Sequence, residues 1–141
     1  MTSRSILLVE DNPDDEALTL RALKKNNILN EVNVARDGAQ ALDFLFPGDG
    51  ASVTLPGLIL LDLKLPKVDG LEVLRRIRAD KRTQIVPVVV LTSTKEQEEV
   101  LDGYQNGANG HVRKPLNFAD FSEAVSTLGA FWLLANEAPP G

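Results

Sequence analysis

Short apolar runs alternate along this chain with longer segments of helical period, and few folds accept that pattern. Strands linked by crossover helices run parallel, and a parallel sheet covered on both faces needs strands that are apolar almost throughout. The runs Ser5-Ile6-Leu7-Leu8-Val9, Leu58-Ile59-Leu60-Leu61 and Pro87-Val88-Val89-Val90-Leu91 have that character. Two weaker segments complete the set: Glu31 to Arg36, where Val32 and Val34 alternate, and His111-Val112-Arg113-Lys114, closed by Pro115.

Between the strands lie five helical segments. Asn12-Pro13 is a start signal, an N-cap followed by proline at the first position, and Asp14, Asp15 and Glu16 suit the positive end of the macrodipole. Ala17, Leu20 and Leu23 share one face of that helix and are expected to pack on the sheet. Asp37-Gly38 leads into a helix carrying Ala41, Leu42 and Leu45. Leu71, Val73, Leu74 and Ile77 follow a start near Asp69 or Gly70. A fourth helix, from about Lys95 to Asn106, stops at Gly107-Ala108-Asn109-Gly110. The last begins near Asn117 and carries Phe118, Phe121, Val125, Leu128 and Trp132 at helical spacing. Residues 47 to 52 read as a surface loop rather than a linker. The expectation is one domain over residues 1–141, with a short C-terminal extension from about residue 130.

Composition narrows the function. With 141 residues the chain can bury a sizeable core. A net charge of −5 argues against a nucleic-acid partner, since phosphate backbones are bound by clustered Lys and Arg. Without cysteine there is neither a disulfide nor a thiolate metal site. The start, Met1-Thr2-Ser3-Arg4, carries no secretory signal, and no apolar run reaches the 18 residues of a membrane span. A cytoplasmic protein with no membrane contact is expected.

The acidic residues carry the chemistry. Asp62 closes an apolar run and is followed by a proline and glycine break, Leu63-Lys64-Leu65-Pro66-Lys67-Val68-Asp69-Gly70. Glu10-Asp11 closes the first strand in the same way. If the two strands are neighbours, three carboxylates meet at one sheet edge, where like charges a few ångströms apart repel by roughly 1 kcal/mol per pair in water and more near a protein surface. A divalent cation relieves that repulsion, and hard oxygen ligands suit Mg2+. Thr92 and Lys114 close the fourth and fifth strands, and in an open parallel sheet the site lies beyond those carboxyl ends. A hydroxyl donor and an ammonium beside a carboxylate would stabilise a phosphoryl group held there, with Asp62 as the acceptor.

Taken together, Glu10-Asp11, Asp62 with Pro66 and Gly70, Leu91-Thr92-Ser93, Gly107-Ala108 and Lys114-Pro115 resemble the response-regulator receiver domain of two-component signalling. That resemblance covers about residues 4 to 129. It implies a flavodoxin-like (βα)5 fold with a five-stranded parallel sheet in the order 2-1-3-4-5. It also implies that Asp62 accepts phosphate from a partner sensor histidine kinase. By the same resemblance, Asp11 and Asp62 bind Mg2+ directly, Glu10 through water and Lys64 through its backbone carbonyl. Thr92 then binds a phosphoryl oxygen, and Lys114 pairs with it across a cis Lys114–Pro115 bond. The loop at 47–56 and the ending Phe131-Trp132-Leu133-Leu134 resemble, more finely, single-domain regulators paired with bacterial phytochromes.

His111 departs from the pattern. The family usually places Tyr or Phe three residues before the lysine, where the ring moves with the threonine. A histidine there is smaller and ionises near neutral pH, so the switch involving Thr92 and His111 is expected to work differently. The aromatic cluster at Phe131 and Trp132 suggests a homodimer interface.

A lone strand-end aspartate is commonly a turn former, Thr92 an ordinary hydroxyl, Lys114 a solvated edge lysine and His111 an exposed strand residue. A phosphohydrolase resembling the haloacid dehalogenases would need a second aspartate two residues after Asp62, where this chain has Lys64. A phosphate-independent interaction module of the same fold tends to lose an acid, the acceptor or the lysine, and all are present here. The leading expectation is a signalling protein that phosphorylates and dephosphorylates itself and acts on no external substrate.

Overall fold

The computed structural model describes residues 5–48, 55–92, 97–113 and 118–129. Five strands and five helices alternate: β1 (Ile6–Val9), α1 (Pro13–Lys25), β2 (Val32–Ala35), α2 (Gly38–Leu45), β3 (Leu58–Leu61), α3 (Gly70–Ala79), β4 (Val88–Thr92), α4 (Gln97–Gln105), β5 (Gly110–Arg113) and α5 (Phe118–Gly129). All strand pairs are parallel, in the order β2-β1-β3-β4-β5. The expected fold and strand order are both found.

Side-chain alternation along the strands divides the core in two. Leu7, Val9, Ile59, Leu61 and Val88 face α2 and α3, where they meet Leu42, Leu45, Val73, Leu74 and Ile77. Ile6, Leu8, Leu58, Leu60, Val89 and Leu91 face the other way, against Ala22 and Leu23 of α1 and Val125 of α5. Both faces of β1 and β3 are therefore dry, which is why those runs carry no polar residue.

Caps set the helix starts. The Asn12 side-chain oxygen accepts from the backbone N–H of Asp14 at 2.8 Å and of Asp15 at 3.2 Å, and Asp37 accepts from Gln40 N–H at 2.7 Å. Helix α1 differs from expectation in the face it buries. Thr19, Ala22 and Leu23 are inside, whereas Ala17 is exposed and Leu20 half-buried. The stripe is rotated because α1 packs against α5 as well as the sheet. Asn26, at its C-cap, donates to Ser122 O at 3.0 Å and Ser122 Oγ at 2.9 Å across that contact. Gly110, expected in the stop after α4, instead opens β5 opposite Val89.

At the sheet edge where the strands begin, Arg78 ties three segments together. Its guanidinium donates to Gly107 O (2.8 Å), Gln84 O (2.9 Å), Val86 O (2.8 Å) and Asn109 Oδ1 (2.6 Å). Burial lowers its pKa from the usual arginine value.

Candidate active site

Register builds the site. Val9 lies opposite Leu61, so Glu10 and Asp62 leave their strands side by side. The Asp62 N–H donates to Val9 O at 3.0 Å and the Glu10 N–H to Ala35 O at 2.9 Å, which carries both strands to the level of their carboxylates. Carboxylate oxygens of Glu10, Asp11 and Asp62 all lie within 4.8 Å of one another. Glu10 is 1% exposed and Asp62 9%, while Asp11 faces solvent. The carboxylate cluster expected from the strand ends is thus assembled.

This donor set fits a small hard cation. Oxygens bound to one Mg2+ at about 2.1 Å stand at most about 4.2 Å apart, so a 4.8 Å cluster accommodates two direct ligands and one through water. Burying Glu10 and Asp62 together is unfavourable unless positive charge is brought to them.

The loop after Asp62 is held from several sides. Lys64 N–H donates to Asp62 Oδ1 at 2.9 Å, fixing the carboxylate rotamer and placing the Lys64 backbone beside it. Gly70 N–H donates to Leu63 O at 3.0 Å. A Cβ on Gly70 would lie 2.4 Å from Asp62 O, and one on Gly38 2.0 Å from Val68 O. Both glycines admit backbone where no side chain fits. Lys67, with φ 66°, points its ammonium at Asp37, with Nζ 3.5 Å from Oδ2. The Asp37 carboxyl is held below its usual range, chiefly by the Gln40 N–H and further by Lys67, against an opposing effect of burial. The roles of Asp37 and Lys67 are not legible in the sequence. The sequence signals available were a Pro-x-x-Asp-Gly break and an Asp-Gly helix start, and neither says that the two meet.

Thr92 ends β4 opposite Arg113, one residue beyond the Leu91–Val112 pair and therefore at the same edge as the acids. His111 is half-buried and pairs with Val90, in the row that continues through Leu61 and Val9. It sits one residue below the level of Asp62. Lys114 and its bond to Pro115, together with Phe131 and Trp132, lie outside the described residues.

Residues 6–126 match the family model described as response regulator receiver domain. The chain belongs to that family. Among curated proteins, this receiver domain is 40% identical over 129 residues to response regulator Rcp1 of Synechocystis sp., covering 91% of this chain and 88% of that one. Among solved structures it resembles the phosphorylated cyanobacterial phytochrome response regulator RcpA, with a TM-score of 0.90 and 36% identity over 99% of this chain and 100% of that one. It also resembles the bacteriophytochrome response regulator RtBRR, at 48% identity and a TM-score of 0.77 over 99% of this chain and 86% of that one. The finer resemblance to phytochrome-linked single-domain regulators is therefore found as well. Among the described residues, no helix is long and apolar enough to cross a membrane.

Proposed function

We propose that this receiver domain accepts a phosphoryl group on Asp62 from the phosphohistidine of a partner sensor histidine kinase, in an Mg2+-dependent reaction. The convergence of Glu10, Asp11 and Asp62 at in-register strand ends carries the reading. An Asp62 carboxylate oxygen attacks phosphorus as the phosphorus–nitrogen bond breaks, and the leaving imidazole nitrogen takes up a proton. Water later attacks the phosphorus of the acyl phosphate, releasing inorganic phosphate and restoring the carboxylate. Asp11 and Asp62 would hold Mg2+ directly, Glu10 through water and Lys64 by its carbonyl, and the bound ion supplies positive charge against the developing phosphoryl charge. The Thr92 hydroxyl and the Lys114 ammonium bind phosphoryl oxygens, and the Thr92 shift is passed to a protein-binding surface past His111.

Phytochrome-linked relatives support a bacteriophytochrome as the kinase. We read the chain as one cytoplasmic domain over 1–141 with no external substrate and no nucleic-acid partner, dimerising through its Phe131–Trp132 extension. Light scattering should show Phe131→Ala with Trp132→Ala shifted toward monomer, and an unchanged mass would place the interface elsewhere.

Intact-protein mass spectrometry after incubation with acetyl phosphate, with and without Mg2+, tests the reading. One phosphoryl adduct that requires both Mg2+ and Asp62 is expected. Full labelling of Asp62→Asn would refute the acceptor. No adduct on wild type, with a known receiver labelled in parallel, would favour the phosphate-independent module.

A further inference from the structure

We infer that Asp37 and Lys67 are positioning residues, whose ion pair holds the β3–α3 loop so that the Lys64 backbone is presented at Asp62. The inference rests on the proposed phosphoacceptor chemistry and adds two residues to it from outside the acidic cluster.

Three observations converge. First, seven residues separate Asp62 from α3, and their backbone is gripped at both ends. Lys64 N–H reaches the Asp62 carboxylate, and the first residue of α3 lies against the Asp62 carbonyl, where a Cβ would stand at 2.4 Å. Between these anchors, Val68 O presses on Gly38, the first residue of α2. The neighbouring α2 start is thus part of the loop's bed.

Second, Lys67 has φ 66°, a region that residues with a Cβ enter at a cost. Glycine or asparagine would satisfy this turn with less strain, so the backbone alone gives no reason for lysine. What lysine adds is reach and charge: its Nζ stands 3.5 Å from Asp37 Oδ2.

Third, Asp37 is 6% exposed and engages with both oxygens. Oδ1 accepts the Gln40 N–H at 2.7 Å and so caps α2, which fixes the carboxylate before Lys67 arrives. Lys67 therefore pairs with an anchored anion, and the freedom lost on pairing falls mainly on one side chain. The Lys67 side chain is 70% exposed, which bounds the strength of the pair. The expected consequence is tuning of the site rather than its creation.

The test measures Mn2+ affinity of the full chain by electron paramagnetic resonance of unbound Mn2+, alongside the rate of phosphorylation by acetyl phosphate. Lys67→Gln and Asp37→Asn, which keeps the cap, should each raise the Mn2+ Kd about two- to five-fold, within what an exposed ion pair allows. The double variant should be no weaker than either single one, since both remove the same interaction. Lys67→Arg keeps the charge and should retain wild-type affinity. Lys67→Gly separates positioning from simple stability, because it relaxes the backbone while removing the ammonium. It should unfold at a higher temperature than Lys67→Gln, yet bind Mn2+ as weakly. Wild-type affinity in Lys67→Gln and Lys67→Gly, or additive losses in the double variant, would overturn the inference while leaving the acceptor chemistry standing. Failure of wild type itself to bind Mn2+ or take up phosphate would overturn both.

Discussion

Replacing Arg78 by alanine should destabilise this protein more than a helix-surface arginine ordinarily would. Of its four bonds, those to Gly107 O and Val86 O are partly buried and those to Gln84 O and Asn109 Oδ1 are exposed. A charged donor to a buried carbonyl contributes about 1.5 kcal/mol or more, an exposed one a few tenths. Desolvation of the half-buried guanidinium, the cause of its lowered pKa, offsets part of this. The net expectation is a loss of about 2–3 kcal/mol, or roughly 6–10 °C in Tm for a domain of this length. Arg78→Lys should recover less than about half, because one ammonium cannot serve four acceptors in a planar fork. Urea titration followed by far-UV circular dichroism reads the difference directly. A loss below about 0.5 kcal/mol in Arg78→Ala, the level of an ordinary surface site, would refute the clasp.

Gly70→Ala places a Cβ 2.4 Å from Asp62 O and should cost about 2–3 kcal/mol by urea titration while abolishing acetyl-phosphate labelling; an active, equally stable variant would show that α3 can move away without consequence. Asp37 and Asp80 are both held below the usual carboxylate pKa, Asp37 first by the Gln40 N–H and Asp80 first by Arg82. A depressed folded-state pKa stabilises the fold above the unfolded value near about 4 and is lost as pH falls below it. Urea midpoints should therefore fall on acidification below about pH 4, less steeply in Asp37→Asn, and identical slopes would refute the assignment to Asp37.

The strand-end carboxylates were legible in the sequence because each closes a run whose apolar residues fill both faces of the sheet. Register then turned two separate observations into one place: with Val9 opposite Leu61, the residues that follow have nowhere else to go. What escaped reading depends on backbone partners or distant contacts. Arg78 looks like any solvated helix cation, since the carbonyls it binds leave no trace in residue identity. The Asp37–Lys67 pair joins two breaks that each read as ordinary turns. Helix α1 carries apolar residues on more than one side, and the face that wins is set by α5, near the far end of the chain.

The β3 strand has a second end, and it obeys different rules. Gly57 N–H donates to Ser5 O and Ile59 N–H to Pro87 O, which marks the edge where chains enter the sheet from their helices. Four residues of strand at about 3.3 Å each put that edge about 13 Å from the acceptor. The described residues that lead in there, Leu55 to Gly57 before β3 and Val86 and Pro87 before β4, stand apart from the reactive groups. What that edge demands is fastening, which the Arg78 clasp supplies where β4 and β5 begin, while the carboxylate geometry stays with the strand ladder. The fold thereby divides its labour across one sheet, with chemistry at the margin where strands leave and fastening at the margin where they arrive.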